Sequence, residues 1–188
     1  MTTPITSTVD QNWAFSSKAL AFLEAYIIKE GHRHIIECGS GDSTVMLADL
    51  SDRGLINDWL SLEHDHEYAK KTWAMVPGQH EHIKHCPLVE TAEGCWYNPE
   101  VYAKQLAMMQ PVTLVIVDGP PYTTGTHARY PAVPLLLPAL APGAVIILDD
   151  SNRPDEQEVI ERWQNEHGLR LVQHFDTANG LSLFKLSV

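Results

Sequence analysis

Glycines and carboxylates recur in this chain at spacings that suit a ligand cleft. Residues 34–50 read HIIECGSGDSTVMLADL, an apolar run that bends through Gly39 and Gly41 into an amphipathic segment. Glycine has no Cβ, so the backbone there can approach a ligand closely. Glu63 follows Gly41 by about twenty residues, the separation expected of a carboxylate that accepts two ribose hydroxyls. Asp118, Asp149 and Asp150 end two further apolar runs. The pattern points to a nucleotide-like ligand. It departs from a dinucleotide site: Thr44 occupies the third glycine position of G-x-G-x-x-G. Glu37, just ahead of the loop, would repel a pyrophosphate at a helix N-terminus but would suit an ammonium group.

Positioning those groups requires a particular framework. Strands are predicted over 35–38, 59–64 and 82–87, and the run VTLVIVD over 112–118 is almost continuously apolar, as a central parallel strand should be. Helices are predicted from Ser16 or Ser17 to Gly31, from about Ser43, from about Glu67, and over 99–109. Leu20, Leu23 and Ile27 give the first of these one apolar stripe. YPAVPLLLPALA is read as a helix despite Pro134 and Pro138, which fit it poorly. Pro142 and Gly143 then turn the chain into AVIILDD, and a helix over 154–167 ends at Gly168. LRLVQHFD and LSLFKLSV alternate apolar and polar residues across TANG, a hairpin signal. The βα alternation predicts a doubly wound, mostly parallel α/β sheet with a C-terminal antiparallel hairpin. In such a sheet the ligand lies at the carboxyl ends of the strands, where strand order reverses.

The 188 residues suit a single domain over 1–188, with a loose polar arm over 1–12. Thirteen basic residues stand against 24 acidic ones, for a net charge of −11, which disfavours nucleic acid as a partner. Cys38, Cys86 and Cys95 form no disulfide framework and read as reduced thiols of a cytoplasmic protein. The N-terminus has neither the basic head nor the apolar run of a secretory signal, and prolines break the longest apolar stretch, so no membrane association is expected.

ECGSGDST resembles motif I of the class I S-adenosylmethionine-dependent methyltransferases, and SLEHD resembles their second-strand acid. DGPPY, LAPGA and ILDD stand where that family has the end of strand four, the turn before strand five and the end of strand five, and the closing hairpin is similar to its reversed seventh strand. The resemblance covers nearly the whole chain beyond the first helix and implies a seven-stranded Rossmann-like methyltransferase fold. It implies S-adenosylmethionine as cofactor, with Glu37 facing the methionine ammonium and Gly39, Ser40 and Gly41 lining the cofactor. Ser43 and Thr44 would open the helix, Glu63 would hold the ribose with His64 beside the adenosine, and Asp118 would lie near the reacting methyl. Thr91 and Ala92 are the candidates for the adenine contact.

Methyl transfer is an in-line displacement in which positioning supplies most of the acceleration. A hydroxyl acceptor also needs a base, or a metal that lowers its pKa. The loop DGPPYTTGTHARY is the expected acceptor wall, with His127 as the leading base, Asp118 and Asp150 as further catalytic candidates, and Arg129 as a clamp for an acceptor anion or a surface charge. DGPPY is similar to the D/N-P-P-Y signature of amino-methylating enzymes, but Gly119 intervenes. Oxygen is therefore preferred to nitrogen as the acceptor atom on a small molecule. Some O-methyltransferases of this fold hold a divalent cation at the ends of strands four and five, and Asp118, Asp149, Asp150 and Asn152 could mimic that site. A divalent metal is not favoured, because DDSN is not the usual arrangement. His80, His82, His85 and Cys86 match no closed zinc spacing. A non-catalytic cofactor-binding subunit or sensor and a nicotinamide-dependent oxidoreductase are the competing readings, and a homodimer stays open.

Overall fold

A computed structural model describes residues 17–109, 111–177 and 179–187, so the expected N-terminal arm lies outside the described residues. Nine strands are present among them: β1 (His34–Cys38), β2 (Asp58–Glu63), β3 (Ile83–His85), β4 (Leu88–Thr91), β5 (Gly94–Tyr97), β6 (Val112–Val117), β7 (Leu140–Asp149), β8 (Leu169–Phe175) and β9 (Leu181–Leu186). Six α-helices join them: α1 (Ser17–Glu30), α2 (Asp42–Asp52), α3 (His66–Met75), α4 (Pro99–Met108), α5 (Ala132–Leu136) and α6 (Pro154–His167).

The main sheet has seven strands in the order β3-β2-β1-β6-β7-β9-β8. β1 pairs in parallel with both β2 and β6, and β6 pairs in parallel with β7. β9 runs antiparallel to β7 and β8, as TANG predicts. Strand order reverses between β1 and β6, which opens a crevice at their carboxyl ends. The central strands are apolar on both faces because helices cover both. Ile36, Val115 and Ile146 belong to one buried cluster with Trp96, Trp163 and Phe184. Their neighbours Ile35, Leu114 and Val145 belong to the other, with Leu23, Leu47 and Trp59. Alternate residues thus feed opposite faces, and each buried large side chain contributes about 1.5–3 kcal/mol.

Local chemistry sets the helix ends that frame the crevice. The Asp65 carboxylate accepts from the Tyr68 amide at 2.7 Å and starts α3. Asn98 accepts from the Glu100 amide ahead of α4, with Pro99 in the first turn. Gly168, with φ 67°, closes α6 in the left-handed conformation.

The structure departs from the sequence expectations in three places. The segment 88–97 is a separate two-stranded antiparallel hairpin, β4–β5, where only a connection was expected. YPAVPLLLPALA forms five α-helical residues and then a short 3-10 turn, since Pro138 cannot continue the α-helical ladder. β7 begins ahead of Pro142 and Gly143, and the pairing with β6 shifts register between Val112 and Leu114 to accommodate them. Among the described residues no helix is long and apolar enough to cross a membrane.

Candidate active site

One cleft lies at the reversal point. Gly39 and Ser40 line it after β1, Glu63, His64, Asp65 and Tyr68 after β2, and Asp118, Gly119 and Pro121 after β6. Asp149, Asp150 and Arg153 come from the end of β7, Arg129 from the loop before α5, Tyr97 from β5 and Asn179 from the β8–β9 turn.

The glycine loop is braced from beneath. Thr44 Oγ1 accepts from the Gly41 amide at 2.9 Å and donates to Glu37 Oε2 at 2.6 Å, and Ser61 Oγ donates to that same carboxylate oxygen. Glu37 is 1% exposed. Burial raises its pKa, and hydroxyls of Ser43, Ser61 and Thr44 oppose the shift. Gly39 has φ 106°, and a Cβ there would meet the backbone of Asp118 and Gly119 at 3.4 Å. The loop after β1 therefore packs directly against the loop after β6. Glu37, Gly41, Ser43 and Thr44 do not line the cleft: they hold the loop that does. The expected contact of Glu37 with an ammonium group is corrected to a bracing role: Oε2 accepts from Thr44 and Ser61 beneath the loop, and Oε1 is buried without a hydrogen-bond partner among the described residues.

Glu63 stands in the cleft with both oxygens oriented. Ser40 Oγ donates to Oε2 at 2.9 Å, the Asp65 amide donates to Oε1 at 2.8 Å, and His64 Nδ1 lies 3.0 Å from Oε1. Each carboxylate oxygen accepts more than one hydrogen bond, so capacity remains toward the cleft. A vicinal diol matches it. Thr91 is instead turned into the β4–β5 hairpin, where its hydroxyl bonds Gly94 O at 2.7 Å, and neither it nor Ala92 lines the cleft.

At the other end, Arg129 is buried among carboxylates. Its Nη2 lies 2.9 Å from Asp150 Oδ2 and 3.4 Å from Asp118 Oδ1, Nη1 donates to Asp149 O at 2.8 Å, and Nε lies 3.5 Å from Glu156 Oε1. Arg153 Nη1 reaches the same Asp150 Oδ2 at 2.7 Å. Burial works against the charge on Arg129, but Asp118, Glu156, Asp150 and Asp149 overcome it and raise its pKa. Burial, with Asp149 close by, holds the Asp118 pKa well above the ordinary carboxylate range. Burial and the Asp150 charge push Asp149 up to about 6, and burial pushes Glu156 up to about 7 against the pull of Arg129.

Asp118, Asp149 and Asp150 can each offer an oxygen within 4.8 Å of the others, a spacing a divalent ion could use. Their donor set nevertheless does not fit one. Asp150 Oδ2 is shared by two guanidinium groups and Asp118 Oδ1 faces Nη2 of Arg129. The same pairing turns Asp150 Oδ2 to the two guanidinium groups, which counts against its expected catalytic role.

His127 is not in the cleft wall. Its Nε2 lies 2.7 Å from Glu158 Oε2 on α6, and its amide donates to Asp155. The expectation that it serves as base at the acceptor is corrected on that geometry. His82 Nδ1 meets Trp59 O and its ring stacks on Trp59, and His85 stacks on His66, so these histidines are packing groups. Tyr97, in the segment after the third predicted strand, is a sequence candidate to cover the cofactor or acceptor, and it lines the cleft. Tyr68, Arg153 and Asn179 line it without having been expected there. Tyr68 follows the α3 cap by three residues, a helical spacing that marks it, but nothing local marks the other two.

A family model described as a methyltransferase domain matches residues 36–151, more than half of the chain. The chain belongs to the methyltransferase domain family. The match of this methyltransferase spans both ends of its cleft, from β1 to the turn after β7. It is similar in structure to the O-methyltransferase TomG from Streptomyces achromogenes, solved with S-adenosylmethionine, at 15% identity and a TM-score of 0.67, over 94% of this chain and 82% of that one. It is similar to an O-methyltransferase from Bacillus cereus solved with S-adenosylhomocysteine, at 16% identity and a TM-score of 0.66, over 93% and 83%. A putative caffeoyl-CoA O-methyltransferase from Staphylococcus aureus aligns at 14% identity and a TM-score of 0.66, over 93% and 85%. These likenesses establish the fold. No curated protein matches the chain.

Proposed function

We propose that this methyltransferase transfers the methyl group of S-adenosylmethionine to a hydroxyl oxygen of a small molecule in the cytoplasm. The observation that carries the reading is the Glu63 carboxylate, oriented by Ser40 and Asp65 beside the glycine loop with acceptor capacity left for a ribose diol. The cofactor and product bound in the TomG and Bacillus cereus structures support the same choice. So does the loop itself: Gly39 lets β1 and β6 loops close together, leaving Ser40 to face the ligand.

Bound S-adenosylmethionine would supply the electrophilic methyl. The chain supplies alignment and a place for the proton. Gly39, Ser40 and Glu63 would hold one end of the cofactor, and Asp118 and Gly119, which border the cleft beside the carboxylates after β6 and β7, would hold the other. Asp149 is the strand-end carboxylate there whose side chain makes no ion pair with Arg129 or Arg153. With its pKa raised to about 6 it is mostly ionised at pH 7 and can take the hydroxyl proton. The small cleft and the acidic chain favour a small acceptor over nucleic acid.

Isothermal titration with S-adenosylhomocysteine and with NAD tests the cofactor, and a hydroxylated-acceptor screen read for methylated product tests the reaction. Binding of S-adenosylhomocysteine with no turnover on any acceptor would favour a sensor.

A further inference from the structure

We propose that the guanidinium of Arg129 supplies, at the acceptor end of the cleft, the positive charge that a divalent cation would otherwise bring, so that this methyltransferase works without a bound metal. The inference rests on the proposed methyl transfer for its functional meaning, but its geometry stands independently.

A metal that gathered the ends of β6 and β7 would coordinate Asp118 and Asp150. Arg129 already does the gathering. A single nitrogen, Nη2, faces both Asp118 Oδ1 and Asp150 Oδ2, while Nη1 holds the backbone carbonyl of Asp149. The third nitrogen, Nε, is directed toward Glu156 on α6 and the Pro120 carbonyl. Every nitrogen of the group is therefore engaged, and the side chain is 2% exposed. It cannot swing into solvent to vacate the cluster without taking from the Glu156 carboxylate, 1% exposed, the guanidinium 3.5 Å away.

A cation bound between Asp118 and Asp150 would sit a few ångströms from this guanidinium, with little water between them to screen the repulsion. It would also be repelled by Arg153, whose Nη1 lies 2.7 Å from Asp150 Oδ2. The backbone favours the arginine arrangement. Asp150 has φ 57°, a left-handed conformation that aspartate tolerates better than most residues, and in that conformation its carboxylate meets both arginines. Arg129 is thus a positioning residue: it fixes the carboxylates around the acceptor and places a permanent positive charge behind a developing alkoxide.

The test is a titration of Mn²⁺ alone into the full-length protein, with and without S-adenosylhomocysteine, following the paramagnetic signal of free Mn²⁺. The wild type should leave that signal undiminished, and S-adenosylhomocysteine affinity should be the same with Mn²⁺ or a chelator present. Stoichiometric Mn²⁺ uptake by the wild type at submillimolar concentration would overturn the proposal. Arg129→Gln, which removes the charge, should bind Mn²⁺ at least about tenfold more tightly than the wild type. A folded Arg129→Gln with no such gain would also overturn it, since a merely structural arginine predicts none. Should that variant fail to fold, the wild-type titration decides alone. Absence of S-adenosylhomocysteine binding in the same series would fault the cofactor reading and leave the metal result standing.

Discussion

The Ser40 hydroxyl donates to Glu63 Oε2 at 2.9 Å, tying the glycine loop after β1 to the acid that ends β2. Thr72 Oγ1 lies 3.0 Å from the same serine oxygen and anchors the pair to α3. Glu63 is the group the cofactor would use, and Ser40 orients it. Glu63→Ala should therefore reduce S-adenosylhomocysteine affinity by about a hundredfold, the loss of two charge-assisted hydrogen bonds. Ser40→Ala should cost about three- to tenfold. Calorimetric titration of both variants would measure this, and unchanged affinity in Glu63→Ala would remove Glu63 from the binding site.

The threonine beneath the loop has a structural task. Thr44→Val keeps the shape of the side chain but leaves the Gly41 amide and the buried Glu37 carboxylate each short of a partner. A loss of about 2–3 kcal/mol in unfolding free energy is expected. Urea denaturation would read it, and a loss below about 0.5 kcal/mol would mean that the Glu37 network carries little.

At the junction of the two loops, a Cβ on Gly119 would stand 2.5 Å from Tyr97 Oη and 3.1 Å from Gly39 Cα. Gly119→Ala should cost about 1–3 kcal/mol as an overpacking change. Adding Tyr97→Phe, which removes the closest atom, should restore part of it. A strictly additive double mutant, measured by thermal unfolding, would argue that the clash is with Gly39 alone.

Asp149 makes stability depend on pH. Its folded-state pKa, about 6, lies above the ordinary aspartate value of 3.8. The protonated form therefore favours the folded state: its contribution is fully present below about pH 4 and is lost as pH rises through about 6. Asp149→Asn does not titrate. Relative to wild type it should match or fall slightly behind near pH 4 and gain about 1–3 kcal/mol by pH 7, then level off. The same variant should lose turnover on a hydroxyl acceptor. Parallel unfolding curves for the two proteins from pH 4 to 8 would contradict the assignment.

His127→Ala provides a contrast. The ring is paired with Glu158 on α6 and stands outside the cleft wall. Turnover should stay within about threefold of wild type, and the partly exposed pair should contribute at most about 1 kcal/mol to stability. A loss of turnover of about a hundredfold would return His127 to the chemistry.

Much of this protein is written in local patterns. Apolar runs with period two or near-continuous burial mark β1, β2, β6 and β7, because strand faces follow from alternation alone. Asn-Gly marks the turn between β8 and β9, and the glycine bend with its trailing acid marks one end of the cleft. The β4–β5 hairpin lacked such a mark: Glu93-Gly94 and a four-residue strand on either side are too short to show a period.

By itself, then, the sequence determined the α/β framework and brought Gly39, Ser40, Glu63 and Asp118 to one sheet end, since residues at strand termini need only correct strand assignment to be placed. Tertiary structure alone decided what the charged side chains do there. Arg129 and His127 lie two residues apart in one loop, yet one is buried against Asp118 and Asp150 and the other is paired with Glu158. Those partners lie between 11 and 31 residues away. Which of them each cation meets depends on the path of the chain between β6 and α5, a property that no local residue pattern encodes.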